Sequence, residues 1–105
     1  MFIILAVKLD DDSGIIDRVW WRRAERDNSW LGAAEYADAS EVANAIAVGE
    51  RVFTRINLGG HWVVRPNVVV NVDPHGQEGI HLDGGPDEVD DSMTQLVQNW
   101  ERQVI

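Results

Sequence analysis

The feature that most restricts the fold is the apolar run at residues 2 to 9, FIILAVKL. Side chains of a strand alternate between its two faces. Here both faces are apolar, with Ile3, Leu5, Val7 and Leu9 on one and Phe2, Ile4 and Ala6 on the other. A strand that is apolar on both faces is typical of the covered centre of a sheet. We therefore predict that the domain is built around this segment.

The rest of the first half of the chain predicts a turn, a strand, a loop and a helix. The polar cluster from Asp10 to Gly14 predicts a turn, and residues 15 to 24 predict a second strand that forms a hairpin with the first. Residues 25 to 37 show no period and are interpreted as a long loop. A helix is predicted over residues 39 to 48, with Asp38 as its N-cap and Gly49 just after its end.

The second half predicts a strand pair, further strands and a helix. Residues 51 to 56 and 61 to 65 flank Asn57-Leu58-Gly59-Gly60, which indicates a hairpin with a four-residue loop. Pro66 predicts a bend or a sheet edge because it cannot donate to a ladder. A strand around Val68 and Val70 and a short strand over residues 79 to 83 follow. The segment from Asp87 to Arg102 has the spacing of an amphipathic helix.

Together these elements predict an α+β fold, with an antiparallel sheet of about five strands and two helices in the order ββαβββα. At 105 residues, the chain has room for one domain, residues 1–105. It contains no cysteine, which excludes disulfides and thiolate metal sites. The apolar start has no basic segment before it and runs into charged residues, so we expect a cytoplasmic protein without a signal peptide or membrane span.

Candidate catalytic and metal-binding residues are few. The serines lack the sequence context of a nucleophile, and we expect no enzyme activity. His75 and His81, with Asp73 and Asp83, are compatible with a divalent metal, which leaves a metal-dependent enzyme as one alternative. Their spacing matches no established site, and the aspartates at residues 10 to 12 fail the calcium-loop pattern. We therefore predict no cofactor and no metal.

The most distinctive surface feature is the alternation of Arg18, Trp20 and Arg22 on one side of the second strand. Arginine and tryptophan stack as cation–π pairs and are frequent at binding hot spots. Trp20 and Trp21 point to opposite faces, and the arginines beside Trp20 favour it as the more exposed of the two. Arg18, Trp20 and Arg22 are the predicted contact residues for a protein partner. The formal net charge of −9 argues against direct binding of nucleic acid, because affinity for phosphates comes mainly from basic groups.

The acidic residues suggest a second alternative. Carboxylates at residues 10 to 12 and 83 to 91 resemble the charge pattern with which inhibitory nucleic-acid mimics occupy a partner's groove, as in proteins of phages and mobile elements. A net negative charge also serves solubility alone. The leading hypothesis from the sequence is a small non-catalytic protein-interaction domain.

Four segments of the chain resemble a bacterial family of short proteins known as a domain of unknown function. They are Ala6-Val7-Lys8, residues 14 to 21, residues 40 to 50 and Phe53-Thr54. In that family an opening strand leads into a strand with tryptophan, a helix ends at a glycine and a strand pair follows. Where the family has Tyr-Leu-Arg-Thr before an aspartate, this chain has Gly79-Ile80-His81-Leu82-Asp83. The resemblance implies this order of elements and no activity or site residues.

Overall fold

A computed structural model describes residues 1–25, 27, 29–72 and 78–104. Its elements, in chain order, are β1 (Phe2–Leu9), β2 (Ile16–Ala24), β3 (Trp30–Asp38), α1 (Ala39–Ala47), β4 (Val52–Leu58), β5 (His61–Val72), β6 (Glu78–Asp83) and α2 (Pro86–Val104). The predicted α+β class is confirmed. The strands form one sheet in the order β3-β2-β1-β4-β5-β6, so the described part of the chain contains six strands rather than about five.

The sheet is mixed, and the prediction of a wholly antiparallel sheet is wrong. β1 pairs with β4 in parallel, with Phe2 opposite Val52 and Ile4 opposite Thr54. The physical reason is the crossover through β3 and α1, which returns the chain to the start of β1 before β4 begins. Each half of the chain is thus a meander of three strands followed by a helix, and the first strands of the two halves meet at the centre.

β3 is an edge strand in a segment that the sequence pattern assigned to a loop. It pairs antiparallel with β2, with Trp20 opposite Tyr36 and Trp21 opposite Glu35. Most of its side chains are exposed, and Gly32 has a φ of +70°, a value that favours glycine. An edge strand with two wet faces needs no hydrophobic alternation, so its sequence carries no strand period.

A register shift at Leu5 overturns the predicted faces of β1. Ile4 pairs with Trp21 but Ala6 pairs with Trp20, so β1 has one extra residue at this point. This bulge brings Ile4 and Val7 to the same side, where both are buried in the hydrophobic core. Ile3 and Ala6, which are also buried, lie on the opposite face.

The β4–β5 hairpin is tighter than predicted. Leu58 pairs with His61, so the loop consists of Gly59 and Gly60, whose φ angles are +58° and +88°. Two successive residues with positive φ define the type I′ turn that matches the twist of a hairpin. Further along β5, pairing with β4 passes from Arg65 to Asn67 and skips Pro66. This bulge is the irregularity predicted there, because proline cannot donate to the ladder.

The predicted start and end of α1 are confirmed. The Asp38 carboxylate accepts hydrogen bonds from the Glu41 backbone N–H (2.9 Å) and the Ser40 hydroxyl (2.6 Å). Gly49 follows the helix with a φ of +96°. These two hydrogen bonds lower the pKa of Asp38, and the bond from Ser40 has the larger effect. An aspartate whose pKa is lowered by folding stabilises the fold at any pH above its ordinary, unfolded pKa. This stabilisation is lost as the pH falls through the lowered pKa of the folded state.

We therefore expect Asp38→Ala to lower the melting temperature at neutral pH, because α1 loses its cap. Asp38→Asn keeps the cap without a titrating group and should stay close to the wild type at neutral pH. The difference between wild type and Asp38→Ala should shrink below about pH 4, as the carboxylate is protonated. Thermal unfolding by circular dichroism measures all three. A difference that is the same at acidic and neutral pH would contradict this role of the carboxylate.

α2 is held against the backbones of β1 and β4. The Gln95 side chain accepts a hydrogen bond from the Asn57 backbone N–H and donates one to the Asn57 carbonyl at 2.9 Å. The Asn99 side chain donates to the Leu5 carbonyl at 3.1 Å, at the bulge of β1. Beyond Ile4 and Thr54, where the parallel register ends, side chains of α2 thus replace the missing ladder bonds between β1 and β4.

The core lies between the sheet and the two helices. Of the predicted apolar stripe of α2, Leu96 is fully buried, and Val89, Met93 and Val97 pack against the core. From α1, Val42 and Ala43 are buried. The sheet adds Ile4, Val7, Val19, Trp21, Val52, Ile56, Val68, Ile80 and Leu82. The opposite face of the sheet contributes none of these core side chains, although Trp100 of α2 reaches Tyr36 on it. The part of that face away from Trp100 is therefore the place to look for a functional surface.

Candidate functional site

The face of the sheet that points away from the core carries a small cleft. Its volume is about 190 Å³, and it is lined by Ile3, Trp30, Arg55, Trp62 and Val64. These residues come from four strands, namely β3, β1, β4 and β5. On β4, Thr54 and Ile56 face the core, so alternation turns Arg55 outward, and the hairpin register places Val64 opposite Arg55.

Two arginines and two tryptophans form a continuous set of contacts across this face. The Arg55 guanidinium carbon lies 4.3 Å from the Trp62 ring centre and 5.2 Å from that of Trp30. The guanidinium carbon of Arg22, on β2, lies 5.0 Å from the Trp30 ring centre. We call Arg22, Trp30, Arg55 and Trp62 the arginine–tryptophan array. Trp62 is 55% exposed, so one end of the array is open to solvent.

In the part of the chain that the structure describes, no carboxylate forms a salt bridge with the arginines of the array. Within the described residues, the salt bridges involve Arg23 and the N-terminal amine, both with Glu50, and neither Arg22 nor Arg55 takes part. The Arg22 Nε donates to the Gly32 carbonyl at 2.6 Å. Burial lowers the pKa of Arg55, although arginine stays charged at any physiological pH. An acidic chain therefore presents local positive charge here.

A second aromatic group lies on the same face, next to α2. Trp20 on β2 packs on Tyr36 of β3, with ring centres 4.4 Å apart, and Tyr36 contacts Trp100 of α2 at 5.3 Å. We call these three residues the aromatic cluster. Tyr36 is 52% exposed, whereas Trp20 is only partly exposed because its neighbours cover it. The cluster joins the edge strand β3 to α2.

The three predicted contact residues share one face, but they do not stack as expected. Trp21 is 5% exposed, which confirms that Trp20 and Trp21 lie on opposite sides of β2. Arg22 stacks on Trp30 instead of Trp20, because β3 pairs with β2 and brings Trp30 beside it. Arg18 is exposed and lies opposite Asp38 in the β2–β3 register. The structure thus brings Arg22 into the array and Trp20 into the aromatic cluster.

Sequence reasoning missed three members of the array. Trp30 fell in the segment interpreted as a loop, so no face was assigned to it. Arg55 and Trp62 belong to the predicted hairpin, and both its predicted four-residue loop and the observed Gly59-Gly60 turn place them on the same face. The hairpin pattern was therefore the available signal.

A larger, open depression borders the array at Val64. Its lining mixes acidic and basic groups, among them Glu25, Asp27, Glu50 and Arg51. Glu50 already contacts Arg23 at 3.3 Å and the N-terminal amine at 3.5 Å. The lining therefore has three carboxylates against Arg51 and the N-terminal amine, and it does not share the positive charge of the array.

The metal hypothesis depends on residues of which two, Asp73 and His75, lie outside the described residues. His81 and Asp83 lie on β6, and both are exposed. In residues 1–25, 27, 29–72 and 78–104, no three His, Asp or Glu side chains are grouped so that they could hold a metal ion. The described residues therefore lend the metal-dependent enzyme no support.

Comparisons with protein-family models, characterised proteins and solved structures returned no match for the chain. The resemblance to the domain of unknown function therefore stays a prediction. None of the helices in the described ranges has the length and apolar character to cross a membrane.

Proposed function

We propose that the chain is a small protein-interaction domain whose contact surface is the face of the sheet that carries the arginine–tryptophan array. The observation that supports it best is the combination of an exposed Trp62 with two arginines that form no salt bridge in the described part of the chain. Tryptophan and arginine are the residues most enriched among binding hot spots. A face that carries both, with no helix residue lining its cleft, has the composition of a contact surface.

The predicted contact residues belong to this surface. Arg22 is part of the array, and Arg18 and Trp20 continue the same face of β2 towards the aromatic cluster. Exposed Tyr36 on β3, with 52% of its surface accessible, extends the apolar area of this face. Partners bind such faces through a few large anchors surrounded by weaker contacts. Trp62 is the best test of an anchor, since Trp20 also packs against Tyr36 and its loss would disturb the fold.

Trp62→Ala is expected to weaken binding of the partner by about tenfold or more, because a hot-spot side chain contributes at least about 2 kcal/mol. The partner is first identified by affinity capture with the wild-type chain and then purified. Its affinity for wild type and variant is measured by isothermal titration calorimetry. The melting temperature of the variant should change little, because Trp62 is more than half exposed.

Val48→Ala is the matched control. Val48 is 81% exposed at the end of α1, so this substitution removes an exposed apolar side chain of a different element. We expect it to bind the partner like the wild type. If Trp62→Ala retained full affinity, or if Val48→Ala lost as much as Trp62→Ala, this face would not be the contact surface.

A further inference from the structure

Among the described residues, Arg55 has unused hydrogen-bonding capacity. Its guanidinium contacts two indole rings, and none of the hydrogen bonds or salt bridges among the described residues involves it. Stacking on an aromatic ring uses the face of the guanidinium, whereas its N–H donors point outward in the guanidinium plane. The array therefore holds a planar cation in place while its donors remain available.

The available donors select the chemistry of a ligand. A planar guanidinium fork binds carboxylate or phosphate groups through two parallel hydrogen bonds. Arg22 lies against the same Trp30 ring as Arg55, so a second cation is within reach of the same ligand. Charges of this kind in a partly buried cleft are screened less by salt than exposed charges are.

A polypeptide ligand fits this arrangement better than a nucleic acid. The chain carries 18 acidic and 9 basic side chains, so a phosphate backbone that extended past the array would meet repulsion. An extended peptide repeats its side chains on one face about every 7 Å, so carboxylates two residues apart can approach both arginines. Unlike a phosphate backbone, a peptide can carry uncharged residues where it extends beyond the array.

We propose that the array binds carboxylates of an extended acidic segment of the partner protein, with Arg55 as the central carboxylate-binding residue and Arg22 as the second. This inference rests on the proposed function and adds the chemistry of the partner. Trp30 and Trp62 keep the Arg55 side chain in position and provide an apolar border for the peptide.

The test is a titration of the whole chain with a blocked peptide of about ten residues in which glutamate alternates with serine. The matched peptide carries glutamine in place of glutamate. The indole N–H signals in NMR spectra report contact at the tryptophans. We expect the glutamate peptide to bind at least about tenfold more tightly than the glutamine peptide, and to weaken between about 0.05 M and about 0.5 M NaCl. Equal affinity of the two peptides would overturn the proposal.

Substitutions locate the site. Arg55→Gln should weaken the glutamate peptide about tenfold or more, whereas Arg55→Lys should fall between, because lysine keeps the charge but lacks the fork. Arg102→Gln, which removes an exposed arginine from the end of α2, should bind like the wild type. Circular dichroism establishes that each variant is folded, and Trp62→Ala replaces Arg55→Gln if the latter does not fold. Equal losses for Arg55→Gln and Arg102→Gln would show a nonspecific charge effect and overturn the proposal.

A single-stranded oligothymidylate of about ten nucleotides is the competing probe, since stacked bases also bind tryptophan. Tighter binding of the oligonucleotide than of the glutamate peptide would overturn the carboxylate assignment. The two proposals fail in different ways. If no acidic peptide binds but Trp62→Ala still abolishes binding of the captured partner, the interaction surface stands and its carboxylate specificity does not.

Discussion

Leu96→Ala is expected to lower the free energy of unfolding by about 3 to 5 kcal/mol, the range found when a fully buried leucine is truncated. Leu96 is 0% exposed and belongs to the core formed by both helices and the sheet. It also neighbours Gln95 in sequence, on the part of α2 that bonds to β4. We expect little relaxation around the cavity, because backbone hydrogen bonds hold this part of α2 in place. The loss is a large fraction of the stability of a small domain.

Urea unfolding followed by tryptophan fluorescence and by far-ultraviolet circular dichroism measures this effect. Gln98→Ala is the control, since Gln98 is exposed on the same helix and alanine is a better helix former. It should leave the unfolding midpoint unchanged or slightly raised. If Leu96→Ala unfolded at the same urea concentration as Gln98→Ala, α2 would not contribute to the core in the way described.

Gln95→Ala is expected to cost about 2 to 3 kcal/mol, although its side chain is only partly buried. The substitution removes the partner of both backbone groups of Asn57, and each unsatisfied buried group costs about 1 to 3 kcal/mol before water reaches it. The local signature is faster hydrogen exchange of the Asn57 backbone amide, because in the wild type this amide donates to the Gln95 side chain. Hydrogen-exchange NMR measures the rate, and chemical unfolding measures the loss of stability.

Gln95→Glu separates the two hydrogen bonds. A carboxylate still accepts from the Asn57 N–H but repels the Asn57 carbonyl, to which glutamine donates. We expect destabilisation at neutral pH that decreases as the pH falls and the glutamate is protonated, because the protonated group can donate to the carbonyl again. Unchanged exchange at Asn57 in both variants would contradict a structural role for Gln95.

Leu96 and Gln95 also affect the proposed contact surface. The array draws Arg55 and Trp62 from the β4–β5 half of the sheet, and Arg22 and Trp30 from the β1–β3 half. The two halves are joined by the parallel pairing of β1 with β4 and by the bonds from α2. The contact between Trp30 and Arg55 crosses from one half to the other. Loss of Gln95 should therefore weaken peptide binding as well as stability.

Much of the fold was predictable from local patterns. The cap at Asp38, the glycine after α1 and the stripe of α2 each follow from the hydrogen-bonding and packing needs of one helix. β2 was predicted from alternation, and β6 was predicted as a short strand over residues 79 to 83. β3 was not, because an exposed edge strand is held by pairing with β2 and has no apolar face of its own. The bulge at Leu5 also has no sequence signal. It changes which residues of β1 share a face, but it does not require a particular type of residue.

The candidate site was predictable to a smaller extent. Alternation placed Arg18, Trp20 and Arg22 on one face of β2 and Trp21 on the other. The burial of Trp21 in the core agrees with this. The stacking partner of Arg22 depends on which strand lies beside β2, and the strand that does was interpreted as a loop. The contact of Arg55 with Trp62 lies within the predicted hairpin, whereas its contact with Trp30 required the parallel pairing of β1 with β4, which the expectation of an antiparallel sheet excluded.

What the sequence by itself determined is therefore local: which residues alternate, where helices begin and end, and that positive charge on β2 contrasts with an acidic chain. What only the tertiary structure decided is the order of the strands, and with it the array of Arg22, Trp30, Arg55 and Trp62. The physical reason is that neighbouring turns and caps form from bonds between nearby residues. A contact between Trp30 and Arg55 forms only after the two halves of the sheet have joined along β1 and β4.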